Sequence, residues 1–167
     1  MKHAVWIAAL WLALPAIVWA EPAPRDAIEG YWRTADGGAI VHITADDGHF
    51  PARIVWLKQD HYPADDAQGM GGQAIVDRHN PDPDKQDRPV VGLRLIKDLD
   101  YHVLDNGQAR WEHGRVYNPD NGKWYHCYLR MADHDHLKLH GYIGLPILGH
   151  TTTWTRVAAP EPSSSAE

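Results

Sequence analysis

Short runs of alternating hydrophobic and polar residues, rich in Val, Ile, Thr, Trp and Tyr, recur between residues 28 and 157. Each run is bounded by Gly, Asp, Asn or Pro, and apolar residues at helical spacing are scarce. This alternation predicts short β-strands joined by turns, the pattern of an all-β barrel or sandwich. Eight strands are predicted, over residues 28–34, 39–44, 49–57, 90–96, 109–118, 123–131, 136–143 and 148–157.

Two segments interrupt this pattern and are predicted to be long loops. Residues 58–89 are polar and hold many Pro, Gly, Asp and Gln residues. Residues 97–108 form a second connection with room for a short helix, ending in Asp105-Asn106-Gly107. Loops longer than about 12–15 residues are usually functional or disordered. Both loops are therefore candidates to line the mouth of a barrel.

The segment Asn118-Pro119-Asp120-Asn121-Gly122-Lys123 predicts a four-residue hairpin loop that pairs Asn118 with Lys123. One face of this hairpin then pairs Val116 with Tyr125, Gly114 with Cys127 and Glu112 with Leu129, and it is predicted to face the interior. The other face pairs Tyr117 with Trp124, Arg115 with His126 and His113 with Tyr128. That second face is either an amphipathic exterior or the lining of a pocket.

The two ends of the strand region carry a closure motif. Gly30-Tyr31-Trp32 lies on the first predicted strand, and Arg156 lies on the last. When a meandering sheet closes on itself, the Arg guanidinium can lie on the indole face, a contact that contributes roughly 0.5–2 kcal/mol. The sequence therefore predicts a single antiparallel eight-stranded meander barrel, with Gly30, Trp32 and Arg156 at the seam.

The first twenty residues have the organisation of a secretory signal peptide. A basic start containing Lys2 is followed by 17 uncharged residues, Ala4 to Ala20, before Glu21. An uncleaved anchor is the alternative, because this length is at the lower limit for spanning a bilayer. We expect a periplasmic or secreted bacterial protein without integral membrane association after cleavage. The expected organisation is a signal peptide (1–20), an N-terminal linker (21–27), a barrel domain (28–157) and a disordered tail (158–167).

Composition narrows the partners and the source of stability. The formal net charge of −6 argues against a nucleic-acid-binding protein, which needs a basic surface. The single cysteine, Cys127, cannot form an internal disulfide, so stability must come from the core. We predict that Cys127 is a small buried hydrophobic residue on a strand.

Further motifs add a family resemblance. They are Gly30-x-Trp32 with Asp36-Gly37-Gly38, Ile54-Val55-Trp56, Asn80-Pro81-Asp82 with Arg88-Pro89 and Gly92, Trp111-x-x-Gly114, Tyr117-x-Pro119 with Gly122-Lys123-x-Tyr125, Gly141-Tyr142-Ile143-Gly144, and Gly149 to Val157. Together they resemble the bacterial exported family DUF2147 over residues 28–157. The resemblance implies a lipocalin-like, or calycin-like, barrel in the envelope or outside the cell. It implies no established activity or ligand, so it assigns no functional residue.

The residues favour binding over catalysis. Serine occurs only at 163–165, and no Gly-x-Ser-x-Gly elbow is present, which excludes a serine hydrolase. No catalytic residue and no cofactor is predicted. The most metal-like cluster is His134-Asp135-His136 with His140 beyond it. Because those histidines fall in a predicted turn without a recognised ligand spacing, we predict an exposed polar turn and assign no metal ligand, with metal binding as the alternative.

The leading hypothesis is an exported barrel that binds a small apolar or amphipathic ligand at its mouth, without catalysis. We interpret Asn80-Pro81-Asp82 as a structured turn near the mouth, with Arg88 available to pair with a neighbouring carboxylate. The candidate ligand-binding residues are Trp32, Trp56, Asp82, Arg88, Trp111, Tyr125 and Trp154. One alternative is a filled barrel that serves as a structural or protein-interaction module of the envelope, its partner unidentified. Another is a His-dependent metal enzyme, which would need three converging ligands.

Overall fold

The computed structural model describes residues 21–161. The predicted signal peptide, residues 1–20, lies outside the described residues, as do residues 162–167 of the predicted tail. Residues 158–161 have no regular secondary structure. In the described range, no helix is both long enough and apolar enough to cross a membrane.

Nine antiparallel strands form one sheet. They are β1 (Gly30–Arg33), β2 (Ala39–Ile43), β3 (Ala52–Leu57), β4 (Arg94–Lys97), β5 (Asp100–Val103), β6 (Ala109–Asn118), β7 (Lys123–Met131), β8 (His136–Tyr142) and β9 (His150–Val157). The hydrogen-bonded order is β4-β3-β2-β1-β9-β8-β7-β6-β5, and β4 also pairs with β6. Because β4 and β5 both pair with β6, they are two halves of one bent strand. The prediction of a closed eight-stranded antiparallel meander is confirmed.

The prediction of a long loop over residues 97–108 is wrong. Residues 100–103 form β5, which pairs with the first half of β6. A sharp bend separates β5 from β4, because Asp98 has a φ of 61°, in the left-handed region. Leu99, beside this bend, is fully buried in the core. The polar run that resembled a connection is therefore part of the barrel wall.

The seam between the first and last strands closes as predicted. Trp32 pairs with Arg156 in the β1–β9 register, and the Arg156 Cζ lies 4.2 Å from the centroid of the Trp32 ring. Gly30 has a φ of 119°, and a Cβ there would lie 3.0 Å from Arg156 Nη1. Glycine at this position thus leaves room for the guanidinium. The same guanidinium donates to the carbonyl oxygens of Glu29 and Ala27 at 2.8 and 2.6 Å.

One end of the barrel is closed by a segment predicted to be linker. Within residues 21–27, a short 3₁₀ helix, Arg25–Ile28, begins and packs across the barrel end. Trp32 Nε1 donates to the Ile28 carbonyl at 2.8 Å, and Trp111 Nε1 donates to the Arg25 carbonyl at 3.0 Å. These bonds satisfy two indole donors that the core would otherwise leave unpaired. The N-terminal residues are therefore part of the domain.

The β6–β7 hairpin follows the predicted register only over its outer half. Asn118 pairs with Lys123 and Gly114 with Cys127, as expected. A bulge then intervenes, so that Trp111 instead of Glu112 pairs with Leu129. His113, inside the bulge, has a φ of 63°. Because the extra residue exchanges the faces of the strand, Trp111 is buried, and the predicted Glu112–Leu129 and His113–Tyr128 pairs are wrong.

The hydrophobic core fills the closed half of the barrel. Its buried members include Ile28, Trp32, Val41, Ile43, Phe50, Ala52, Ile96, Leu99, Trp111, Cys127, Leu129 and Leu137. Cys127 is 1% exposed, which confirms its prediction as a buried hydrophobic residue. Burial raises the pKa of the Cys127 thiol to about 12. The thiol is thus protonated at neutral pH and a poor nucleophile.

Candidate functional site

The open half of the barrel contains a cavity of about 840 Å³ that opens to solvent. Its apolar floor and walls include Ala39, Ile54, Leu57, Ile75, Val90, Leu95 and Trp154. Trp154 is 5% exposed and belongs to the core as well, so it marks the boundary between the filled and the open half. The polar side chains that line the cavity include Thr34, Asp36, Gln59, Asp66, Arg78, His79 and Asp120.

A second cavity of about 520 Å³ adjoins the first. Four residues line both: Leu95, Pro119, Thr152 and Trp154. The second cavity extends towards β7 and β8, where Tyr125 and Leu139 contribute to its wall. The two spaces are therefore neighbouring compartments that share one floor.

The long loop predicted over residues 58–89 forms one wall of the larger cavity. Tyr62 is buried, and Arg78 lies over its ring with Cζ at 4.8 Å from the centroid. Isolated β-bridges join His61 to Ala74 and Val76 to Pro89 within the loop. The loop thus has an ordered internal structure and encloses space that the strands alone leave open.

A buried carboxylate attaches this loop to the barrel. Asp77 is fully buried and accepts hydrogen bonds from Tyr117 Oη at 2.7 Å and from Asn80 Nδ2 at 2.7 Å. Arg88 Nη2 lies 3.3 Å from Asp77 Oδ2, so the predicted pairing of Arg88 with a carboxylate of this loop is confirmed. A buried charge with several donors is stabilised, whereas loss of one partner leaves an uncompensated group.

The loop also packs against the β6–β7 hairpin without intervening side chains. Gly122 is buried with a φ of 67°, and a Cβ at this position would lie 1.8 Å from the carbonyl oxygen of His79. His79 Nδ1 lies 3.3 Å from the carbonyl oxygen of Pro119 in the same hairpin. Glycine at position 122 is therefore required for the loop to lie against the barrel rim.

Burial and the neighbouring carboxylate change the acidity of the tyrosine in this network. Tyr117 is 3% exposed, and burial, followed by its hydrogen bond to Asp77, raises the pKa of its hydroxyl to about 12. The neutral hydroxyl is therefore the form that donates to Asp77 at physiological pH.

This network and Cys127 together predict a loss of stability at alkaline pH. Both pKa values are raised in the folded protein, and both groups are protonated in the folded and unfolded states at pH values well below 9.0, the ordinary pKa of the thiol. As the pH rises towards about 12, the unfolded chain loses these protons first, and the free energy of unfolding falls. We expect urea unfolding, followed by Trp fluorescence, to show a shallower decline over this pH range for Cys127→Ala than for the wild type. If the free energy of unfolding declined equally in Cys127→Ala and in the wild type, the raised pKa of the Cys127 thiol would be contradicted.

The structure brings only some of the sequence-predicted site residues to the cavities. Trp154 lines both spaces, and Tyr125 lines the second one. Trp32 and Trp111 lie in the filled half, bonded to the N-terminal 3₁₀ helix. Neither is among the residues that line the two cavities, so the proposed site excludes them.

The remaining predicted residues lie outside the barrel interior. Trp56, a predicted ligand-binding residue, is only partly buried and lies beneath Arg33, whose Cζ is 5.7 Å from the indole centroid. Asp82 caps a second 3₁₀ helix, Pro83–Lys85, and its ion pair with Lys85 lowers the pKa of its carboxyl. Asp82 and Arg88 border a separate groove on the loop, not the main cavity.

The aromatic and histidine-rich face of the β6–β7 hairpin is divided. His126 and Tyr128 lie on the exterior, whereas Tyr117 is buried beneath the long loop and lines the second cavity. His126 is exposed and stacks on Tyr142 at a centroid distance of 5.6 Å. Tyr128 stacks on His140 at 4.8 Å. Neither His126 nor Tyr128 lines the two cavities, so these two residues follow the predicted amphipathic exterior, whereas Tyr117 follows the alternative prediction of a pocket lining.

The predicted polar turn at residues 132–135 is also present. His134 and His136 are exposed, and each lies 2.8 Å from a neighbouring aspartate, Asp135 and Asp133 respectively. In the part of the chain that the structure describes, these histidines do not form a group of three converging metal ligands.

Sequence reasoning missed most of the residues that build the cavity wall. Tyr62, Ile75 and Val76 lie in a segment without strand periodicity, and Asp77 lies in the same polar loop. The lone hydrophobic pair Ile75-Val76 within a polar stretch is the local signal that could have identified them. Their position over the mouth depends on contacts with residues about forty positions away, such as that between Asp77 and Tyr117.

The comparisons with known proteins agree with this geometry. The sequence profile of the family described as "Uncharacterized protein conserved in bacteria (DUF2147)" matches residues 30–156. The chain belongs to this family. The resemblance inferred from the motifs is thereby confirmed, and the match spans the barrel from β1 to β9. No curated protein sequence matches this DUF2147 chain.

A solved structure shows the same fold at low sequence identity. It is described as "Protein HP1028 from the human pathogen Helicobacter pylori belongs to the lipocalin family". The TM-score is 0.62 with 22% sequence identity, and the match covers 78% of this chain and 83% of the other. The DUF2147 protein thus has a lipocalin-like barrel.

Proposed function

We propose that this DUF2147 protein binds one small apolar or amphipathic molecule in the open half of its barrel, without catalysing a reaction. The observation that carries the proposal is the cavity of about 840 Å³ above Trp154. Ligand sites are typically clefts of about 300–1,000 Å³ with predominantly apolar linings. A barrel packed with its own side chains to the rim would have no such space.

The distribution of polar groups favours an amphipathic ligand. Ile54, Leu95 and Trp154 supply a floor without charged atoms, and all three are buried. Charged and polar lining residues belong to the loops and turns, as Asp36, Asp66, Arg78, His79 and Asp120 do. A ligand would therefore place its apolar body on the indole and keep its polar group near solvent.

The proposal includes a periplasmic or extracellular location. Support comes from the sequence of residues 1–20, which has the basic start and uncharged stretch of a signal peptide. A carrier of this kind would act on molecules that are poorly soluble in the aqueous envelope.

A protein-interaction module is the second candidate function. It is favoured by the segment 143–148, which follows β8 and exposes four aliphatic side chains: Ile143, Leu145, Ile147 and Leu148. Ile147 is 86% exposed, an unusual position for a large apolar residue within such a cluster. If the protein bound no apolar probe at all, this surface would become the leading functional feature.

Two substitutions on one strand test the proposed ligand site. Thr152 lines both cavities, whereas Thr153 next to it is exposed and lines neither. The neutral fluorescent probe N-phenyl-1-naphthylamine should bind the wild type, because its rings match an apolar floor. We expect Thr152→Trp to weaken probe binding at least about tenfold, by filling the cavity, and Thr153→Trp to leave the affinity unchanged.

Fluorescence titration measures the probe affinity of the wild type and of both variants, and far-ultraviolet circular dichroism checks that each protein is folded. Equal affinity in the wild type and in Thr152→Trp would place the probe elsewhere and overturn the proposal. Equal weakening by both tryptophan substitutions would show a non-specific effect on the strand and would also contradict it.

A further inference from the structure

We propose that Asp100, His102 and His113 bind a divalent transition metal ion, with zinc as the best match, on the outer surface of the barrel. Within residues 21–161, these three residues form a group whose candidate ligand atoms all lie within 4.8 Å of one another. Asp100 and His102 lie on β5, and His113 lies in the bulge of β6. None of the three lines the cavity assigned to the apolar ligand.

The spacing of the donor atoms fits tetrahedral coordination. Zinc bonds of about 2.1 Å to nitrogen and oxygen place neighbouring ligand atoms about 3.4 Å apart. His113 Nδ1 lies 3.5 Å from Asp100 Oδ2, which is already this separation. The His102 and His113 rings lie 5.2 Å apart between centroids, at an interplanar angle of 83°. Because the ligand atoms of the three residues lie within 4.8 Å of one another, binding of an ion would draw the side chains closer together.

The β6 bulge is what places His113 in this group. In a regular strand, His113 would pair with Tyr128 on the next strand, as the sequence predicted. The extra residue instead gives His113 a φ of 63°, a strained conformation for a side chain of this size. Bulges of this kind often redirect a side chain at a functional site. Here the redirected imidazole lies beside Asp100 and His102.

A fourth residue orients the carboxylate. His49 Nδ1 lies 2.8 Å from Asp100 Oδ1. This close contact brings an imidazole from outside β5 and β6 to the carboxylate. The contact engages Oδ1 of Asp100, while Oδ2 lies 3.5 Å from His113 Nδ1. A partner that holds a ligating carboxylate in this way is typical of metal sites and raises their affinity.

The donor set selects the class of metal. Two imidazoles and one carboxylate suit zinc, copper or nickel, whereas magnesium and calcium prefer oxygen ligands alone. Three protein ligands leave a fourth position for water, because His102 and His113 are exposed and Asp100 is only half-buried. Nearby Arg110 is paired with Glu112 at 3.3 Å, so its charge is partly neutralised beside the site.

Zinc titration of the purified protein without a polyhistidine tag tests the proposal. After dialysis against a chelator, calorimetry with Zn²⁺ should show one ion per chain, and Co²⁺ should give visible absorption bands of a tetrahedral site. We expect His102→Ala to weaken Zn²⁺ binding at least about tenfold. His113→Asn should do the same, because asparagine tolerates the left-handed backbone conformation but lacks the imidazole.

His134→Asn is the matched control, because His134 is also an exposed histidine beside an aspartate but lies in a different turn. It should leave the Zn²⁺ affinity unchanged. Absence of stoichiometric Zn²⁺ binding by the wild type would overturn the proposal. Equal binding by the wild type and His102→Ala would overturn it as well, by assigning the ion to other histidines. Probe binding in the cavity should be unaffected by these variants, so this result is independent of the ligand proposal.

Discussion

Arg156→Ala is expected to lower the free energy of unfolding by about 4 kcal/mol. The guanidinium lies on the Trp32 ring, an interaction that contributes roughly 0.5–2 kcal/mol. It also donates to the part-buried carbonyl oxygens of Ala27 and Glu29, at roughly 1.5–3 kcal/mol for each bond to a charged group. Equilibrium urea unfolding, followed by tryptophan fluorescence, measures the difference.

Two further substitutions separate charge from geometry at this seam. Arg156→Lys keeps the positive charge but replaces a planar donor that serves several carbonyls by a single ammonium, so we expect an intermediate loss. Arg130→Ala removes an exposed arginine that makes no side-chain hydrogen bond within residues 21–161, and its effect should stay below about 0.5 kcal/mol. If Arg156→Ala and Arg130→Ala had the same effect, the seam contact would not stabilise the barrel.

Gly122→Ala is expected to destabilise the protein by about 3 kcal/mol or more and to abolish probe binding. The new Cβ would lie 1.8 Å from the His79 carbonyl oxygen, so the backbone of the loop must move. Movement there would separate Asp77 from Tyr117 and deprive a buried carboxylate of one of its two shortest hydrogen bonds. It would also shift a wall of the cavity, because Arg78 and His79 line it.

Gly107→Ala is the matched control for this second effect. Gly107 has a φ of 78°, similar to that of Gly122, but a Cβ at Gly107 would meet no atom within 4 Å. Gly107→Ala should therefore lower the free energy of unfolding by the cost of backbone strain alone, about 1–2 kcal/mol. Urea unfolding and probe titration of both variants give the comparison. Equal effects of the two substitutions would mean that the loop does not pack against Gly122 as the structure shows.

The sequence predicted those parts of the fold that local chemistry determines. The turn from Pro119 to Gly122 fixed the hairpin register as far as Gly114 and Cys127, because turn residues constrain their immediate neighbours. The prediction became wrong at His113, where a non-glycine residue adopts a positive φ that no local pattern signals. The same limitation hid β5, since Asp98 produces a bend in a run that looked like loop.

The candidate site was less accessible to sequence reasoning than the barrel. Trp154 could be identified because a tryptophan on an alternating strand is expected to face inwards. Asp77, by contrast, is buried only because the loop folds back onto Tyr117, and no local pattern records that contact. The proposed metal site has the same character. Asp100, its ligand neighbour His113 and the adjacent His49 come from three separate segments, so only the closed topology brings them together.

The seam between β1 and β9 has a consequence for how the chain reaches its native state. Tyr31 pairs with Val157, so the sheet cannot seal until residue 157 has been synthesised and has left the ribosome. Until then, two strand edges expose unpaired amides and carbonyls that can pair with other chains. Pairings between such distant residues form slowly, on the order of milliseconds to seconds. Newly synthesised chains therefore pass through an aggregation-prone stage before the seam forms, in which chaperones would have the most effect.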